Sequence, residues 1–405
     1  MTQYYFNERM LERGSNKQAE YGELKNLLDN TKEVDKQILK AFPLESNTDM
    51  IYVNGSYNLI EAYKWIKEKA GKLDIITEFR NITLKGFTDI GTIILDIKLE
   101  EDGASIEVKG DKVASDQLYE CFKMRGYAHL LIEHKLLNIL EPNVQCMLYK
   151  FRDKTKQFRM MLINEEYVLR SITSTHRYRN YDNNVILYVV LSTLHKMNKD
   201  IENQFKISYF HLTESNLLIY IRKELPTYIP NIGELYFEAR ITNDETSQGS
   251  IWVELHYRFY DPITRCSFSC LPPTQKALIE LQHSAAISKA VEEFQKIGEL
   301  SEKNNLLANY IEELSTIPVL TEEIAFSLCD KIINSKGRDI SKSLKDNIRE
   351  EYTKRLTETT YSLIEGFNIA TILSENIEEK TALKRIFYNQ IMEIVIKKSR
   401  NKKTK

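Results

Sequence analysis

The segment Ile93–Lys109, IILDIKLEEDGASIEVK, alternates apolar and polar residues on both sides of a short acidic centre that contains a glycine. In its first half the odd-numbered residues 93, 95, 97 and 99 are apolar, while residues 96, 98 and 100 are charged. The turn-forming residues Glu101–Gly103 interrupt this pattern, and Ile106 and Val108 resume it. Because successive side chains of a strand point to opposite faces, the segment predicts an antiparallel hairpin with one buried and one solvated face.

Two more hairpins are predicted further along the chain. Phe205–Phe210 is followed by Asn216–Lys223, and Leu235–Ile241 is followed by Ser250–Phe259. After the prolines at positions 272 and 273, apolar residues recur at helical spacing as far as residue 398,. The predicted fold class is therefore α+β, with a mainly antiparallel twisted sheet and flanking helices, followed by an all-helical C-terminal portion.

These changes of pattern divide the chain into three predicted regions. Residues 1–145 form an N-terminal α+β region, residues 146–272 an α+β core, and residues 273–405 a helical region with a basic tail. Proline removes a backbone donor and favours neither a helix interior nor a central strand. We therefore expect an irregular loop at residues 270–275, where the second boundary lies.

The composition limits the classes of function. Among 405 residues, 56 Lys and Arg balance 58 Asp and Glu for a formal net charge of -2, so any basic surface must be local,. Five cysteines, an odd number in a long chain, favour reduced thiols over a disulfide framework,. The start of the chain lacks a secretory pattern and no apolar run approaches a membrane span, so we expect a cytoplasmic protein without a membrane partner.

Three stretches resemble a known family. They are VLRSIT with HRYRNYDN within Val168–Asn183, ARITNDE with GSIWV within Ala239–Val253, and TYSLIEGFN at Thr360–Asn368. In order and spacing, residues 167–371 resemble the phage- and plasmid-borne family called domain of unknown function 932, although Asp244 stands where that pattern usually has Ser. The resemblance implies a phage or prophage origin and a role in DNA metabolism. That family has no established catalytic residues, so it implies none here.

Asp96, Glu107 and Lys109 form the constellation that most resembles an enzyme site. Their order matches PD-(D/E)xK nucleases, in which two carboxylates hold Mg²⁺ and the lysine orients the attacking water. If the hairpin turn centres between residues 102 and 103, Asp96 lies opposite Lys109 and one diagonal step from Glu107. Gln117, early in the following predicted helix, occupies a place where such nucleases often have glutamine. The alternative is a solvated hairpin face, which also carries alternating charges.

A second candidate site interleaves cations and aromatic rings after a predicted strand. Arginine pairs with phosphate through two hydrogen bonds, and tyrosine or arginine planes stack on bases, which is the combination found in single-strand grooves. The alternative is a polar connection whose side chains pack locally. The predicted binding residues are Arg170, His176, Arg177, Tyr178, Arg179 and Tyr181.

The last nine residues, KKSRNKKTK, contain six cations and no acid. Such a tail adds attraction to phosphate that does not depend on sequence, or it serves only to keep the chain soluble. The tail residues assigned to nucleic-acid binding are Lys397, Lys398, Arg400, Lys402 and Lys403.

No metal site is predicted outside the nuclease hypothesis. His129 and His134 are five residues apart and lack the spacing of a zinc helix, and Cys266 and Cys270 lack a second pair of ligands,. The sequence also lacks the glycine-rich phosphate loops of nucleotide-binding proteins,. Mg²⁺ is therefore expected only if the protein is a nuclease.

The sequence leaves three functions open. The leading hypothesis is a non-enzymatic phage- or prophage-type protein that binds single-stranded DNA in recombination or replication, as a monomer or homo-oligomer. One alternative is a virion-associated or protein-interaction component, with a phage protein as its partner and no nucleic-acid contact. The other is the Mg²⁺-dependent nuclease.

Overall fold

The three predicted hairpins are present in the computed structural model of the chain, and they belong to two different sheets. The structure describes residues 5–11, 17–44, 49–99, 103–199, 204–229, 233–246, 249–263, 265–270, 277–300, 322–335, 340–356, 363–374 and 377–403.

The strands of these residues are β1 (Phe6–Met10), β2 (Gly71–Glu78), β3 (Ile82–Phe87), β4 (Ile93–Lys98), β5 (Ser105–Gly110), β6 (Thr155–Ile163), β7 (Glu166–Thr173), β8 (Phe205–Thr213), β9 (Asn216–Lys223), β10 (Thr227–Ile229), β11 (Gly233–Asp244), β12 (Ile251–Tyr260), β13 (Ser267–Cys270) and β14 (Ile279–Leu281). The helices are α1 (Tyr21–Lys25), α2 (Glu33–Ala41), α3 (Ser56–Lys69), α4 (Lys112–Cys121), α5 (Arg125–Glu133), α6 (Leu137–Lys150), α7 (Asn183–Met197), α8 (Ile287–Gln295), α9 (Glu322–Ile333), α10 (Lys342–Leu356), α11 (Leu363–Ile372) and α12 (Ile377–Lys403). Short 3₁₀ turns lie at Phe79–Asn81 and Lys296–Glu299.

The first sheet has six strands in the order β2-β6-β7-β5-β4-β3, and its one parallel pair is β5 with β7. The second sheet has eight strands in the order β1-β8-β9-β11-β12-β13, with β10 added to β11 and β14 to β12, and all of its pairs are antiparallel. Helices flank both sheets, and helices dominate the chain after β14. The prediction that the region from residue 273 onward is all helical is wrong at Ile279–Leu281, because β14 pairs there with β12. The predicted α+β class is confirmed.

The register of the hairpin β4–β5 differs from the prediction. Asp96 lies opposite Glu107 rather than Lys109, and Lys109 lies opposite Ile94. The faces are nevertheless as predicted, since Ile93, Leu95, Ile97 and Val108 are buried. A shift of two residues leaves every side chain on its original face, so alternation alone cannot determine it.

Each sheet has its own hydrophobic core. Helices α4, α5 and α6 cover one face of the six-stranded sheet, where Leu118, Ala128 and Val144 belong to the same buried cluster as the apolar residues of β4. The eight-stranded sheet packs against α7, whose residues Val185–His195 are all buried. A helix that is apolar on all sides is a core element, and α7 is the centre of the larger core.

The larger core also takes in the N-terminal and C-terminal segments. Buried residues of α1–α3 and of α9–α12 belong to the same cluster as α7. On β13, the ring of Phe268 lies 4.6 Å from that of Phe367 in α11 and 6.1 Å from that of Phe387 in α12. The predicted boundary at residues 145–146 falls inside α6, and the one at residues 272–273 lies outside the described residues. Among the described helices, none has the length and apolar character needed to cross a membrane.

Candidate nucleic-acid interface

The predicted cation–aromatic cluster is divided between the surface and the interior. His176, Arg177 and Arg179 are exposed, whereas Arg170 is 1% exposed, Tyr178 9% and Tyr181 0%. The six side chains therefore do not form one exposed binding surface. For Arg170, Tyr178 and Tyr181 the prediction of an accessible site is wrong, and the alternative of local packing describes them better.

Arg170 is buried because its charge is balanced where the two sheets meet. Its Nη1 donates to Oε2 of Glu245 over 2.5 Å, and Nζ of Lys72 lies 2.7 Å from both oxygens of the same carboxylate. The backbone N–H of Asn183 donates to Oε1 of Glu245 over 2.8 Å. Burial and the nearby Asp182 act to raise the pKa of Glu245, but Lys72 and Arg170 bring it below the ordinary value.

Arg159, on β6, is the centre of the same buried network. Its Nη2 donates to both oxygens of Asp182 over 2.7 and 2.8 Å, and its Nη1 donates to the hydroxyl of Tyr178 over 2.9 Å and to the carbonyl of Glu245 over 2.7 Å. Burial disfavours the charge of Asp182, but Arg159, with smaller effects from Lys72 and Arg170, holds the pKa of that carboxyl well below its ordinary value. We call this group of Lys72, Arg159, Arg170, Asp182 and Glu245 the junction network.

The two tyrosines of the predicted cluster are fixed by the same junction. The ring of Tyr178 stacks on that of His283 with centroids 5.0 Å apart, and its hydroxyl donates to the carbonyl of Glu245 over 2.7 Å. The hydroxyl of Tyr181 donates to the carbonyl of Ala285 over 2.9 Å. Buried tyrosines usually find a partner for the hydroxyl, and here those partners join the segment before α7 to the strand ends of the second sheet.

The nuclease residues lie on one face of the hairpin, in a register different from the predicted one. Asp96 is half-buried and Glu107 exposed on neighbouring strands, while Nζ of Lys109 forms a salt bridge with Glu166 over 2.9 Å. The side chain of Gln117 is turned toward the junction, where its Nε2 donates to the carbonyl of Thr246 over 2.8 Å. Across the described ranges, no group of three or more His, Cys, Asp or Glu side chains is placed to hold a metal ion.

The other candidate residues are engaged in local contacts or buried, or their side chains lie outside the described residues. Nε2 of His129 is 2.6 Å from Oδ1 of Asp116, and burial raises the pKa of the Cys270 thiol well above its ordinary value. The backbone of α12 continues to Lys403, but the side chains of the basic tail lie outside the described residues.

A groove that the sequence did not reveal lies on the other face of the eight-stranded sheet, away from α7. Its volume is about 870 Å³, and the first residues of α12 and the end of α11 close one side. We call it the sheet groove. It is lined by Glu8, Leu11, Ser208, Tyr209, Leu218, Tyr220, Arg222, Tyr236, Glu238, Arg240, His256, Arg258, Tyr260, Ser267, Phe268, Ser269, Thr371, Ile372, Lys380, Thr381 and Lys384.

The strand registers explain why tyrosines and arginines meet in this groove. Across β9 and β11, Tyr220 lies opposite Arg240 and Arg222 opposite Glu238, and across β11 and β12, Tyr236 lies opposite Arg258. These are even-numbered residues, whereas the odd-numbered residues of β9 and β11 form the core. Residues that lie opposite each other share a face, so local alternation on three strands builds one mixed aromatic and cationic surface.

The groove combines rings with positive charge. The rings of Tyr209 and Tyr220 lie 5.7 Å apart edge to face, the guanidinium of Arg222 lies 4.7 Å from the ring centre of Tyr236, and Nζ of Lys384 lies 5.4 Å from that of Tyr220. Two carboxylates, Glu8 and Glu238, stand against five cations, so the lining has a formal charge of about +3,. The five cations are Arg222, Arg240, Arg258, Lys380 and Lys384.

Burial adjusts the ionisation of the groove. It lowers the pKa of His256 to about 4, so the imidazole is neutral at pH 7 and donates from Nδ1 to Oε2 of Glu238 over 2.8 Å. Burial opposes ionisation of Glu238, but the hydrogen bond from His256 and the neighbouring cations lower the pKa of that carboxyl. Burial also lowers the pKa of Lys384 to about 8, which leaves this lysine mainly protonated at neutral pH and close to titration.

The polar faces of the predicted strands could have indicated this groove from the sequence. The predicted hairpins implied a polar face, and the even-numbered residues of YFEAR at Tyr236–Arg240 and of ELHYRFY at Glu254–Tyr260 supply it. What the sequence could not show is that α12, more than 100 residues later, covers the same face. Arg385 in α12 reaches Glu254 in β12 with Nη2 to Oε1 at 3.5 Å, which fixes the helix there.

Comparisons with protein-family models, with curated proteins and with solved structures found no match to this chain. The resemblance of residues 167–371 to the phage- and plasmid-borne family therefore stays a prediction. Function must be inferred from the geometry of the sheet groove and the junction network.

Proposed function

We propose that the protein binds single-stranded nucleic acid in the sheet groove. The observation that carries this proposal is the alternation of tyrosine rings with arginine and lysine side chains along one concave face. A single strand presents a negative phosphate and a flat base at every step, so a groove that tracks it needs cations and stacking surfaces side by side. The sheet groove supplies both.

The local charge fits a chain that has almost no net charge. The whole protein carries a formal charge of -2, while the groove lining carries about +3,. Attraction to phosphate is thus concentrated at one place, and binding should be modest and sensitive to salt.

The biological setting belongs to the same proposal. The resemblance to a phage- and plasmid-borne family favours single-stranded DNA, in recombination or replication within the host cytoplasm. For the nuclease alternative, Asp96 lies directly opposite Glu107 and Lys109 is one diagonal step from Asp96, but Glu166 already pairs with that lysine. The geometry therefore supports binding better than metal-dependent cleavage.

The test is a titration of a labelled single-stranded oligonucleotide, followed by fluorescence anisotropy at several salt concentrations. The variant Lys380→Ala with Lys384→Ala removes two groove cations, and Lys36→Ala with Lys40→Ala on α2 removes two exposed lysines elsewhere as a matched control. Each phosphate contact contributes about 0.7 to the logarithmic salt slope on a single strand, so the groove variant should lose about 1.4. The control should keep the wild-type slope.

Equal slopes and affinities for the groove variant and the wild-type protein would remove the sheet groove from consideration. No binding by the wild-type protein at low salt would reject nucleic-acid binding and favour the interaction-protein alternative. Parallel titrations with duplex DNA and single-stranded RNA show which type of nucleic acid the protein prefers.

A further inference from the structure

A second exposed cationic and aromatic surface lies on the six-stranded sheet, at the turn between α6 and β6. The turn has the sequence YKFRDK at Tyr149–Lys154, and the side chain of Tyr149 is 75% exposed. Two backbone hydrogen bonds hold it against the 3₁₀ turn at Phe79–Asn81. The N–H of Arg80 donates to the carbonyl of Arg152 over 2.8 Å, and the N–H of Phe79 donates to the carbonyl of Lys154 over 3.2 Å. The turn is therefore fixed in place by its neighbour.

Cations outnumber acids at this surface. Oδ1 of Asp153 lies 2.5 Å from Nη2 of Arg80 and 3.8 Å from Nε of Arg152, and Glu78 also pairs with Arg80. Five exposed cations lie at this surface. Arg80 and Arg152 pair with the two carboxylates, and with exposed Glu120 counted beside Lys123 the formal charge is about +2,. We call this surface the basic turn, and its cations are Arg80, Lys123, Lys150, Arg152 and Lys154.

Rings and charges alternate along the basic turn. The guanidinium of Arg152 lies 5.9 Å from the ring centre of Tyr149, and Nζ of Lys154 lies 5.8 Å from that of Phe151. The ring of Phe151 stacks on that of Phe122 with centroids 5.8 Å apart, which joins the turn to the end of α4. Tyr149 is more exposed than Phe151, 75% against 37%, and Lys150 follows it in the sequence.

A concave surface continues from the turn. It has a volume of about 500 Å³ and is lined by Glu78, Arg80, Asn81, Lys98, Leu99 and Gly103, of which Arg80 also belongs to the cations of the turn. Side-chain amides and cations that line a hollow can follow a bent polyanion, whereas a flat bilayer meets only the rim of such a hollow. The shape favours a strand of nucleic acid over an anionic membrane.

We propose that the basic turn is a second nucleic-acid contact site, in which the cations bind consecutive phosphates and Tyr149 stacks on a base. It lies on a different sheet from the sheet groove and uses none of its residues. A chain with both sites holds two stretches of one strand, or two strands at once. The basic turn does not depend on the proposed role of the groove, because its charge and its exposed ring stand by themselves.

The experiment measures the anisotropy of labelled single-stranded and duplex DNA with full-length variants. Arg152→Ala with Lys154→Ala should lower the logarithmic salt slope by about 1.4 on a single strand, while Lys36→Ala with Lys40→Ala leaves it unchanged. Tyr149→Ala should weaken single-strand binding about fivefold or more without changing the slope. Circular dichroism and thermal unfolding confirm that each variant is folded.

The variants of the sheet groove separate this proposal from the previous one. A lower salt slope in Arg152→Ala with Lys154→Ala, the basic-turn variant, supports binding at the basic turn. This holds whether or not Lys380→Ala with Lys384→Ala changes the slope. Wild-type slope and affinity in the basic-turn variant, on both single-stranded and duplex DNA, would overturn it. The proposal would also be overturned if the basic-turn variant lost binding to vesicles of phosphatidylcholine and phosphatidylserine but kept wild-type binding to DNA. That result would identify the basic turn as a membrane-binding surface.

Discussion

Replacing Arg159 by methionine tests whether the junction network is a structural element. Methionine retains much of the volume of the arginine stem but supplies none of its donors. Arg159 is fully buried, and it is the residue that donates to both oxygens of Asp182. Arg159→Met therefore leaves a carboxylate that is 6% exposed without its main counter-charge.

The expected cost follows from that unpaired charge. Removing one partner of a buried ion pair typically destabilises a protein by about 3–5 kcal/mol, which is a large part of a usual total of about 5–15 kcal/mol. The second substitution Asp182→Asn removes the orphaned charge, so the double variant should be more stable than the sum of the two single changes predicts. The same replacement at exposed Arg177 should change the free energy of unfolding by less than about 0.5 kcal/mol,.

The assay is urea unfolding followed by circular dichroism, at several pH values. Because the native pKa of Asp182 is held below its ordinary value of 3.8, its contribution to stability is present above about pH 4 and is lost as the pH falls further,. The difference between wild type and Arg159→Met should thus be largest near neutral pH and should narrow in acid. A loss below about 1 kcal/mol at neutral pH, or a loss independent of pH, would refute this reasoning.

Three further predictions concern other parts of the chain. Single-strand binding should weaken as the pH rises through about 8, because Lys384 loses its proton there; Lys384→Arg should abolish that dependence in an anisotropy titration, and an unchanged pH profile would exclude this lysine,. Arg170→Met should lower the urea midpoint because it removes a donor from buried Glu245, yet it should leave the salt slope of binding at the wild-type value, which a phosphate-binding arginine could not do,. Gly233→Ala should destabilise the protein by about 1–3 kcal/mol in the same unfolding assay, since Gly233 has φ of 117° and an added Cβ would lie 2.5 Å from the carbonyl oxygen of Tyr260; wild-type stability would show that the strand adjusts freely,.

Local patterns predicted the elements of this fold better than their assembly. The alternation in Ile93–Lys109 identified a hairpin and its buried face, because both depend on neighbouring residues. The register could not be read from the same pattern, since a shift of two residues preserves the faces. The nuclease hypothesis depended on how Asp96, Glu107 and Lys109 are placed, and the observed register puts Asp96 opposite Glu107 while Lys109 pairs with Glu166.

The cation–aromatic cluster shows a different limit of sequence reasoning. The interleaving of cations and rings predicted that Arg170, Tyr178 and Tyr181 form one binding surface, but these side chains are buried: Arg170 and Tyr178 bond to Glu245, and Tyr181 bonds to Ala285. Their partners Arg159 and Glu245 are separated from each other by 86 residues in the chain. No local feature of the sequence distinguishes an arginine that binds phosphate at the surface from one that pairs with a buried carboxylate.

The sheet groove depends on contacts of the same long range. The polar faces of β9, β11 and β12, which form part of its floor, were predictable, but its wall is α12, which meets β12 through residues 131 positions apart. Which face of a sheet remains open for a ligand is decided by where a distant helix packs. That information is not contained in the periodicity of any one segment.

Photo-crosslinking tests the central proposal most directly. A single-stranded oligonucleotide that carries halogenated uracil is irradiated with the full chain, and the attached peptides are identified by mass spectrometry. We expect adducts on the partly exposed tyrosines of the sheet groove, at Tyr209 or Tyr220, and we expect excess unlabelled strand to suppress them. Adducts confined to segments that do not line the groove, with none on β8, β9 or β11, would contradict binding in the sheet groove.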